Sequence, residues 1–171
     1  MADAYIALGA NLGDRRANLR AALQALEKKT RLVAVSALYE TDAVTADGSA
    51  QPPYLNAACH LETDFDPLAL LHMLQSIERD LGRPADHKRW APRPIDLDIL
   101  IYDDLVLDDD RLTIPHPRLA GRPFVLVPLA DIAADVPHPV LHRTIADLAR
   151  EAGTTGVRRI TGPEWASPPV P

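Results

Sequence analysis

The sequence has few of the features that define several common protein classes. Cys59 is the single cysteine among 171 residues, which excludes a disulfide framework and a zinc site built from cysteines. No apolar run approaches the roughly 20 residues of a membrane-spanning helix. The N-terminus lacks the basic region and apolar run of a signal peptide. The formal net charge is -6, which disfavours general nucleic-acid binding. We therefore expect a cytoplasmic protein.

Apolar residues are nevertheless abundant, at 47% of the chain, so one ordinary domain can form a core. Their spacing predicts strands over residues 5–10, 31–41, 54–62 and 95–102, and helices over residues 14–29 and 66–81. The order strand, helix, strand, strand, helix, strand predicts an α+β protein with a ferredoxin-like αβ plait. In addition to the plait, we expect a hairpin and helices in the C-terminal part of the chain.

The second helix is predicted in more detail. Asp66 is the expected N-cap before Pro67, and Gly82 is expected to end the helix. Its buried stripe is predicted to contain four leucines: Leu68, Leu71, Leu74 and Leu81.

The C-terminal third gives weaker signals. We expect a hairpin around residues 108–110, a proline-punctuated stretch over 114–128 and a helix over 144–151. Residues 1–153 are predicted to form a single domain, and residues 154–171 a poorly ordered tail.

An Asp-x-Asp pair on the fourth predicted strand is the strongest functional signal. Asp96 and Asp98 should share one face of the strand, with Cα atoms roughly 6–7 Å apart. Two carboxylates at that spacing can bind a pair of hard cations about 3.5–4 Å apart. The alternative is an edge strand with one solvated face, but Leu100 and Tyr102 are predicted to continue the same face. Cations beside paired acids favour a site for magnesium and polyphosphate, and Arg89, Trp90 and Arg93 precede the strand.

Two further polar signals are less specific. Gln75 and Glu78 lie three residues apart on one side of a helix, which also suits a solvated polar pair. His116 lies between Pro115 and Pro117, so it is held in a rigid segment. It can contact a phosphate or a base edge, or it can be structural.

A possible site for a flat ring comes from Tyr54, Asn56 and Phe124. Aromatic faces can sandwich a heterocycle, and an amide can read its donor and acceptor edge. The alternative is two core aromatic residues and a strand asparagine. Gly9 and Gly13 do not form a P-loop, because no Gly-Lys-Ser/Thr follows them.

Taken together, these segments resemble the 6-hydroxymethyl-7,8-dihydropterin pyrophosphokinase family. The resemblance covers residues 5 to about 132 and rests on YIALGANLG at 5–13, YLNAA at 54–58, RWAPRPIDLDIL at 89–100 and LTIPHP at 112–117. The chain departs from the pattern at Asp42, where family members often have a proline, and in the residues that follow Gly82 and Arg83.

The resemblance implies a folate-pathway enzyme that transfers pyrophosphate from ATP to the hydroxymethyl group of the pterin and releases AMP. It implies two Mg²⁺ ions, ATP and pterin as partners, and no nucleic-acid or membrane partner; we expect a monomer. The implied catalytic residues are Asp96, Arg93 and Arg83, and the implied metal ligands are Asp96 and Asp98. The implied ATP contacts are Gln75, Glu78, Trp90, Arg93, Thr113, His116 and Arg122. The implied pterin contacts are Thr41, Tyr54, Asn56, Trp90, Asp96 and Phe124.

Two other function classes stay open from the residues alone. A two-metal nucleotidyltransferase also uses paired aspartates, but it releases pyrophosphate where a pyrophosphokinase releases AMP. An αβ-plait module that binds RNA or small ligands needs no paired acids beside arginines, and magnesium-dependent ATP binding would argue against it.

Overall fold

The computed structural model describes residues 1–42, 48, 51–82 and 94–167. The elements, in chain order, are β1 (Ala2–Ala10), α1 (Arg15–Glu27), β2 (Arg31–Val35), β3 (Leu38–Thr41), β4 (Tyr54–Thr63), α2 (Pro67–Asp80), β5 (Asp96–Tyr102), β6 (Leu107–Asp108), β7 (Thr113–Ile114), α3 (Pro123–Ala133), α4 (Ile145–Ala152), β8 (Val157–Thr161) and a 3₁₀ helix (Pro163–Ala166).

The main sheet is antiparallel and has the strand order β5-β1-β4-β3-β8, with β2 also paired to β4. The strands β6 and β7 form the separate hairpin that the sequence predicts. The α+β class is thereby confirmed: over the described ranges, the fold combines an antiparallel sheet with four α-helices.

The predicted single strand over residues 31–41 is in fact two strands, β2 and β3. The ladder is interrupted at Ser36, where the Ala58 N–H donates to the Ser36 hydroxyl at 2.8 Å. That hydroxyl in turn donates to the Ala37 carbonyl at 2.7 Å. Local bonds of this kind compete with a regular ladder, and alternation of side chains does not reveal them.

Helices cover both faces of the sheet. Helices α1 and α2 pack on the face that carries Ile6 and Leu8, while α3 and α4 pack on the face that carries Tyr5 and Ala58. The helix caps follow the sequence signals: the Asp66 carboxylate accepts the Ala69 N–H at 2.8 Å, as predicted. The cavity described below lies on the second of these faces.

The predicted buried stripe of α2 is confirmed at Leu74 and is wrong at its other three positions. The apolar residues that are buried in this helix are Leu70, Met73, Leu74 and Ile77. The predicted Leu68, Leu71 and Leu81 are only partly buried. Spacings of three, one and three residues keep the observed set on one helical face. The predicted leucines at 68, 71 and 81 flank that face.

A β-bulge corrects the predicted faces of β5. Ile6 pairs with Ile99 but Tyr5 pairs with Ile101, so Leu100 is an extra residue in the ladder. Beyond the bulge the alternation is reversed, because one extra residue moves the following side chains to the other face. Ile101 therefore packs with Leu100, and Tyr102 packs with the opposite core.

The C-terminal region is more regular than the sequence predicts. The proline-punctuated stretch contains α3, which starts at Pro123 and accommodates a buried Pro128 in its interior. The prediction of a poorly ordered tail from Thr154 is wrong over 157–166, where β8 pairs with β3 and Trp165 is 2% exposed. The helix predicted over 144–151 is confirmed as α4.

Within the described ranges, no helix combines the length and the apolar character that crossing a bilayer requires.

Candidate active site

One cavity of about 440 Å³ lies between the sheet and the start of α3. Residues from β1, β3, β4, β5 and the segment that leads into α3 line it. Among the residues predicted for the site, the cavity brings together Thr41, Tyr54, Asn56, Asp96, Asp98, His116, Arg122 and Phe124. They come together because β5, β1 and β4 are neighbours in the sheet and their alternate side chains face the same side.

Gly9 of β1 lines the cavity. It pairs with Asn56 on one side and with Asp96 on the other. A Cβ at this position would lie 3.1 Å from the Asn56 Oδ1 and 3.5 Å from the Tyr54 Cδ1. A glycine inside a strand often marks a place where a ligand or a backbone approaches closely, so Gly9 is a cavity residue that the sequence analysis left unassigned.

The polar pair at one end of the cavity is Asn56 and Thr41. Both side chains are buried, at 9% and 5% exposure, and the Asn56 Nδ2 donates to the Thr41 Oγ1 at 2.6 Å. This bond fixes the plane of the amide, which can then present fixed donor and acceptor groups to a ligand edge.

Two aromatic side chains border the same cavity. Tyr54 is partly buried, whereas Phe124 is 38% exposed and lies at the first turn of α3. The Arg122 guanidinium carbon lies 5.5 Å from the centroid of the Phe124 ring. An exposed aromatic ring beside a cavity offers its face to a flat ligand.

The two aspartates of β5 both line the cavity, with Asp96 partly buried and Asp98 exposed. Between them, the backbone N–H of Leu97 donates to the Glu78 carboxylate at 3.0 Å. Glu78 is 7% exposed, so a buried carboxylate joins α2 to the strand that carries both acids. Its predicted contact with ATP stays a prediction.

His116 lies on the wall next to these acids. Its backbone N–H donates to the Leu100 carbonyl at 2.9 Å. Its Nδ1 accepts the Arg118 N–H at 3.2 Å, which leaves Nε2 as the protonated nitrogen of the neutral ring. Burial lowers the pKa of His116, and Arg122 and Arg118 lower it further, while Asp96 opposes them. The imidazole is therefore a neutral donor at neutral pH.

Comparison with known proteins identifies the family. The model of the 7,8-dihydro-6-hydroxymethylpterin-pyrophosphokinase family matches residues 5–134. This chain belongs to that family. The resemblance found from the sequence is thus confirmed.

Two bacterial relatives carry the name 2-amino-4-hydroxy-6-hydroxymethyldihydropteridine pyrophosphokinase. The Pseudomonas aeruginosa protein is 44% identical over 161 residues, which cover 92% of this chain and 96% of the relative. The Bacillus subtilis protein is 44% identical over 135 residues, which cover 78% of this chain and 79% of the relative. Both relatives are named as enzymes.

A solved structure has a similar fold. It is a crystal structure of Plasmodium falciparum HPPK-DHPS with pterin and p-hydrobenzoate, with a TM-score of 0.73 and 18% identity. The match covers 93% of this chain and 48% of that chain, so our chain spans about half of the structure's length. At this identity the likeness concerns the fold alone.

Not every residue implied by the pyrophosphokinase family lines the cavity. Gln75 is exposed on α2, Thr113 is partly buried in β7, and neither is among the lining residues. The predicted roles of Arg83, Trp90 and Arg93 lie outside the described residues. Conversely, Arg118 lines the cavity without having been assigned a role. Its place directly after the His116 segment was the available signal.

The chemistry of the donors fits Mg²⁺. Carboxylate oxygens are hard ligands, and Mg²⁺ in phosphate-transfer sites is usually held by one or two carboxylates, with water and substrate phosphates completing the shell. Asp96 and Asp98 supply such a pair. In the described part of the chain, no group of three or more His, Cys, Asp or Glu side chains could hold a metal ion.

Proposed function

We propose that this protein transfers the pyrophosphoryl group of ATP to the hydroxymethyl oxygen of 6-hydroxymethyl-7,8-dihydropterin and releases AMP, as a step of folate biosynthesis. One observation carries the proposal. One cavity is lined by a fixed amide, two aromatic rings, paired carboxylates, a neutral histidine and two arginines. Membership of the pyrophosphokinase family supports the same assignment.

The pterin end of the cavity suits a flat heterocycle with hydrogen-bonding edges. We assign the ring to the space between Tyr54 and Phe124, with Asn56 reading its edge. The bond between Asn56 and Thr41 fixes the amide before the ligand arrives, which lowers the entropy lost on binding. Trp90 and Asp96 complete the proposed pterin contacts.

The phosphate end combines acids with cations. We assign Asp96 and Asp98 as ligands of two Mg²⁺ ions, which when bound neutralise phosphate charge and polarise the reacting groups. His116 and Arg122 donate hydrogen bonds to the phosphates. We also assign ATP contacts to Gln75, Glu78, Trp90, Arg93 and Thr113, and roles in charge stabilisation to Arg83 and Arg93.

The proposed reaction needs positioning more than covalent catalysis. The hydroxymethyl oxygen attacks the β-phosphorus, the bond from the β-phosphorus to the α,β-bridging oxygen breaks, and AMP departs with the bonding electrons. The hydroxyl proton passes to the Asp96 carboxylate, which borders the cavity. His116 donates a hydrogen bond to the departing AMP. Holding both substrates in one cavity contributes by removing translational freedom.

Several finer assignments belong to the same proposal. The central strands, in the order β5-β1-β4 with β2 and β3 beside β4, support a ferredoxin-like αβ plait. We also propose a monomeric, cytoplasmic enzyme whose single catalytic domain includes the C-terminal strand β8, because β8 belongs to the main sheet. Sedimentation equilibrium would test the oligomeric state.

A product assay tests the proposed function. Purified protein is incubated with ATP, MgCl₂ and hydroxymethyl-dihydropterin, and nucleotides are separated by ion-exchange chromatography. We expect AMP to accumulate only when the pterin is present. Release of pyrophosphate would indicate a nucleotidyltransferase, and the absence of turnover with retained ligand binding would indicate a binding module.

A further inference from the structure

The C-terminal strand β8 lies beyond the residues 5–134 that match the family model. It extends the sheet next to β3, and Glu40 pairs directly with Arg158 in this ladder. Strand β3 ends at Thr41, which lines the cavity. Strand β8 is therefore the neighbour of the strand that carries Thr41, a residue of the cavity wall that we assign to the pterin.

Two arginines meet on the carboxylate of Glu40. The Arg158 Nη2 lies 3.3 Å from the Glu40 Oε1 and 3.2 Å from the Asp42 Oδ1. The Arg15 Nη1 donates to the Glu40 Oε2 at 3.1 Å and to the Pro53 carbonyl at 2.8 Å. Arg158 thus contacts the residues on both sides of Thr41, and Arg15 joins the end of β3 to the start of β4.

These contacts act on a side chain that belongs to the site. Because alternate side chains face opposite sides of a strand, Glu40 is directed toward α1 while Thr41 faces the cavity. The Thr41 hydroxyl accepts from Asn56 at 2.6 Å. Holding Glu40 and Asp42 therefore limits the movement of the group that orients the Asn56 amide.

The strand that carries Arg158 is itself anchored. Trp165, which follows β8, is 2% exposed and its Nε1 donates to the Ser36 carbonyl at 2.9 Å. The Arg20 Nε donates to the Trp165 carbonyl at 2.6 Å. The contacts of Trp165 thus hold in place the strand β8 from which the Arg158 side chain extends.

We propose that Arg158 is a positioning residue for the pterin: through Glu40 and Asp42 it holds Thr41 in the place that orients Asn56. The inference rests on the proposed function, because it assumes that the Thr41 and Asn56 wall binds the pterin. It also gives a role to Asp42, the position at which this chain departs from the family pattern.

The test compares Arg158→Gln with the wild type in steady-state kinetics for both substrates. The Arg158 side chain is 47% exposed, and exposed ion pairs contribute little and are screened by salt. We expect the KM for the pterin to rise roughly two- to fivefold, with the KM for ATP unchanged. The difference should shrink at about 1 M salt, where the Debye length is about 3 Å. Arg158→Lys, which keeps the charge, should restore part of the loss.

The matched control is Arg143→Gln, which removes a surface ion pair with Glu151 outside the cavity and should leave both KM values unchanged. Hydrogen exchange at residues 38–42 gives a readout without turnover, and it should become faster only in Arg158→Gln. An unchanged pterin KM in Arg158→Gln, or an equal rise of both KM values, would overturn the inference. An inactive wild type would instead refute the proposed function itself.

Discussion

Replacing Gly9 by alanine tests the geometry of the cavity most sharply. Gly9 does not have the positive φ that would make an alanine strained, so the backbone can accept the substitution. The new methyl group would, however, lie 3.1 Å from the Asn56 Oδ1 and 3.5 Å from the Tyr54 Cδ1. Both atoms belong to side chains that we assign to pterin binding, so the change acts first on the pterin contacts.

The expected size follows from the cost of overpacking. Inserting a methyl group into a packed site typically costs about 1–3 kcal/mol. Since 1.4 kcal/mol corresponds to a factor of ten in affinity, we expect the pterin Kd to rise roughly 5- to 150-fold. The Kd of a nonhydrolysable ATP analogue should change less than about twofold, because the two side-chain atoms nearest to the new methyl group belong to assigned pterin contacts.

Isothermal titration with each ligand provides the assay, and thermal unfolding checks that the variant is folded. The affinity of the same variant for the ATP analogue is the internal control, because a change at the pterin contacts should leave that affinity nearly unchanged. Equal pterin affinity in Gly9→Ala and the wild type would refute the proposed location of the pterin.

Four further substitutions address other parts of the account. Asp98→Asn should lower kcat by about 10²–10³ without unfolding the protein, and turnover within tenfold of wild type would reject Asp98 as a metal ligand. Phe124→Ala should weaken pterin binding by about 0.5–1.5 kcal/mol and spare ATP; equal losses for both ligands would count against stacking. The pKa of His116 is lowered in the folded protein, so the folded state favours the neutral imidazole. The stability that the neutral imidazole contributes is therefore fully present above pH 6.5, the pKa of histidine in the unfolded chain. It is lost as the pH falls through the lower pKa of the folded protein. The free energy of unfolding should accordingly fall less steeply below pH 6.5 in His116→Gln than in the wild type, and identical slopes would contradict this. Trp165→Phe leaves the Ser36 carbonyl without the indole donor and should cost about 1–3 kcal/mol in denaturant unfolding, whereas an unchanged midpoint would mean that this hydrogen bond adds no stability.

The sequence predicted best those features that depend on a single local pattern, such as the alternation of a strand or the cap of a helix. Period-two alternation placed Asp96 and Asp98 on one face of β5, and both line the cavity. The Asp66 cap followed from local chemistry alone. These features depend on residues close in sequence, so a linear pattern can reveal them.

Features set by distant contacts were missed. The bulge at Leu100 depends on pairing with β1 and reverses the face of Tyr102. Helix α3 tolerates Pro128 in its interior because the surrounding core favours the helix. Strand β8 is stabilised by its ladder with β3 and by the burial of Trp165. The contacts of β8 and Trp165 could not be predicted from a polar, proline-containing tail.

Labelling each phosphate of ATP in turn shows which phosphate groups the protein transfers to the pterin. The protein is incubated with MgCl₂, hydroxymethyl-dihydropterin and ATP labelled with ³²P at the α, β or γ position, and the pterin product and nucleotides are separated. The account predicts that the β and γ labels both move to the pterin while the α label stays in AMP, and that Asp96→Asn abolishes the transfer. A β label that remains with the nucleotide would mean single phosphoryl transfer, and an α label on the pterin would mean nucleotidyl transfer; either result would contradict the account.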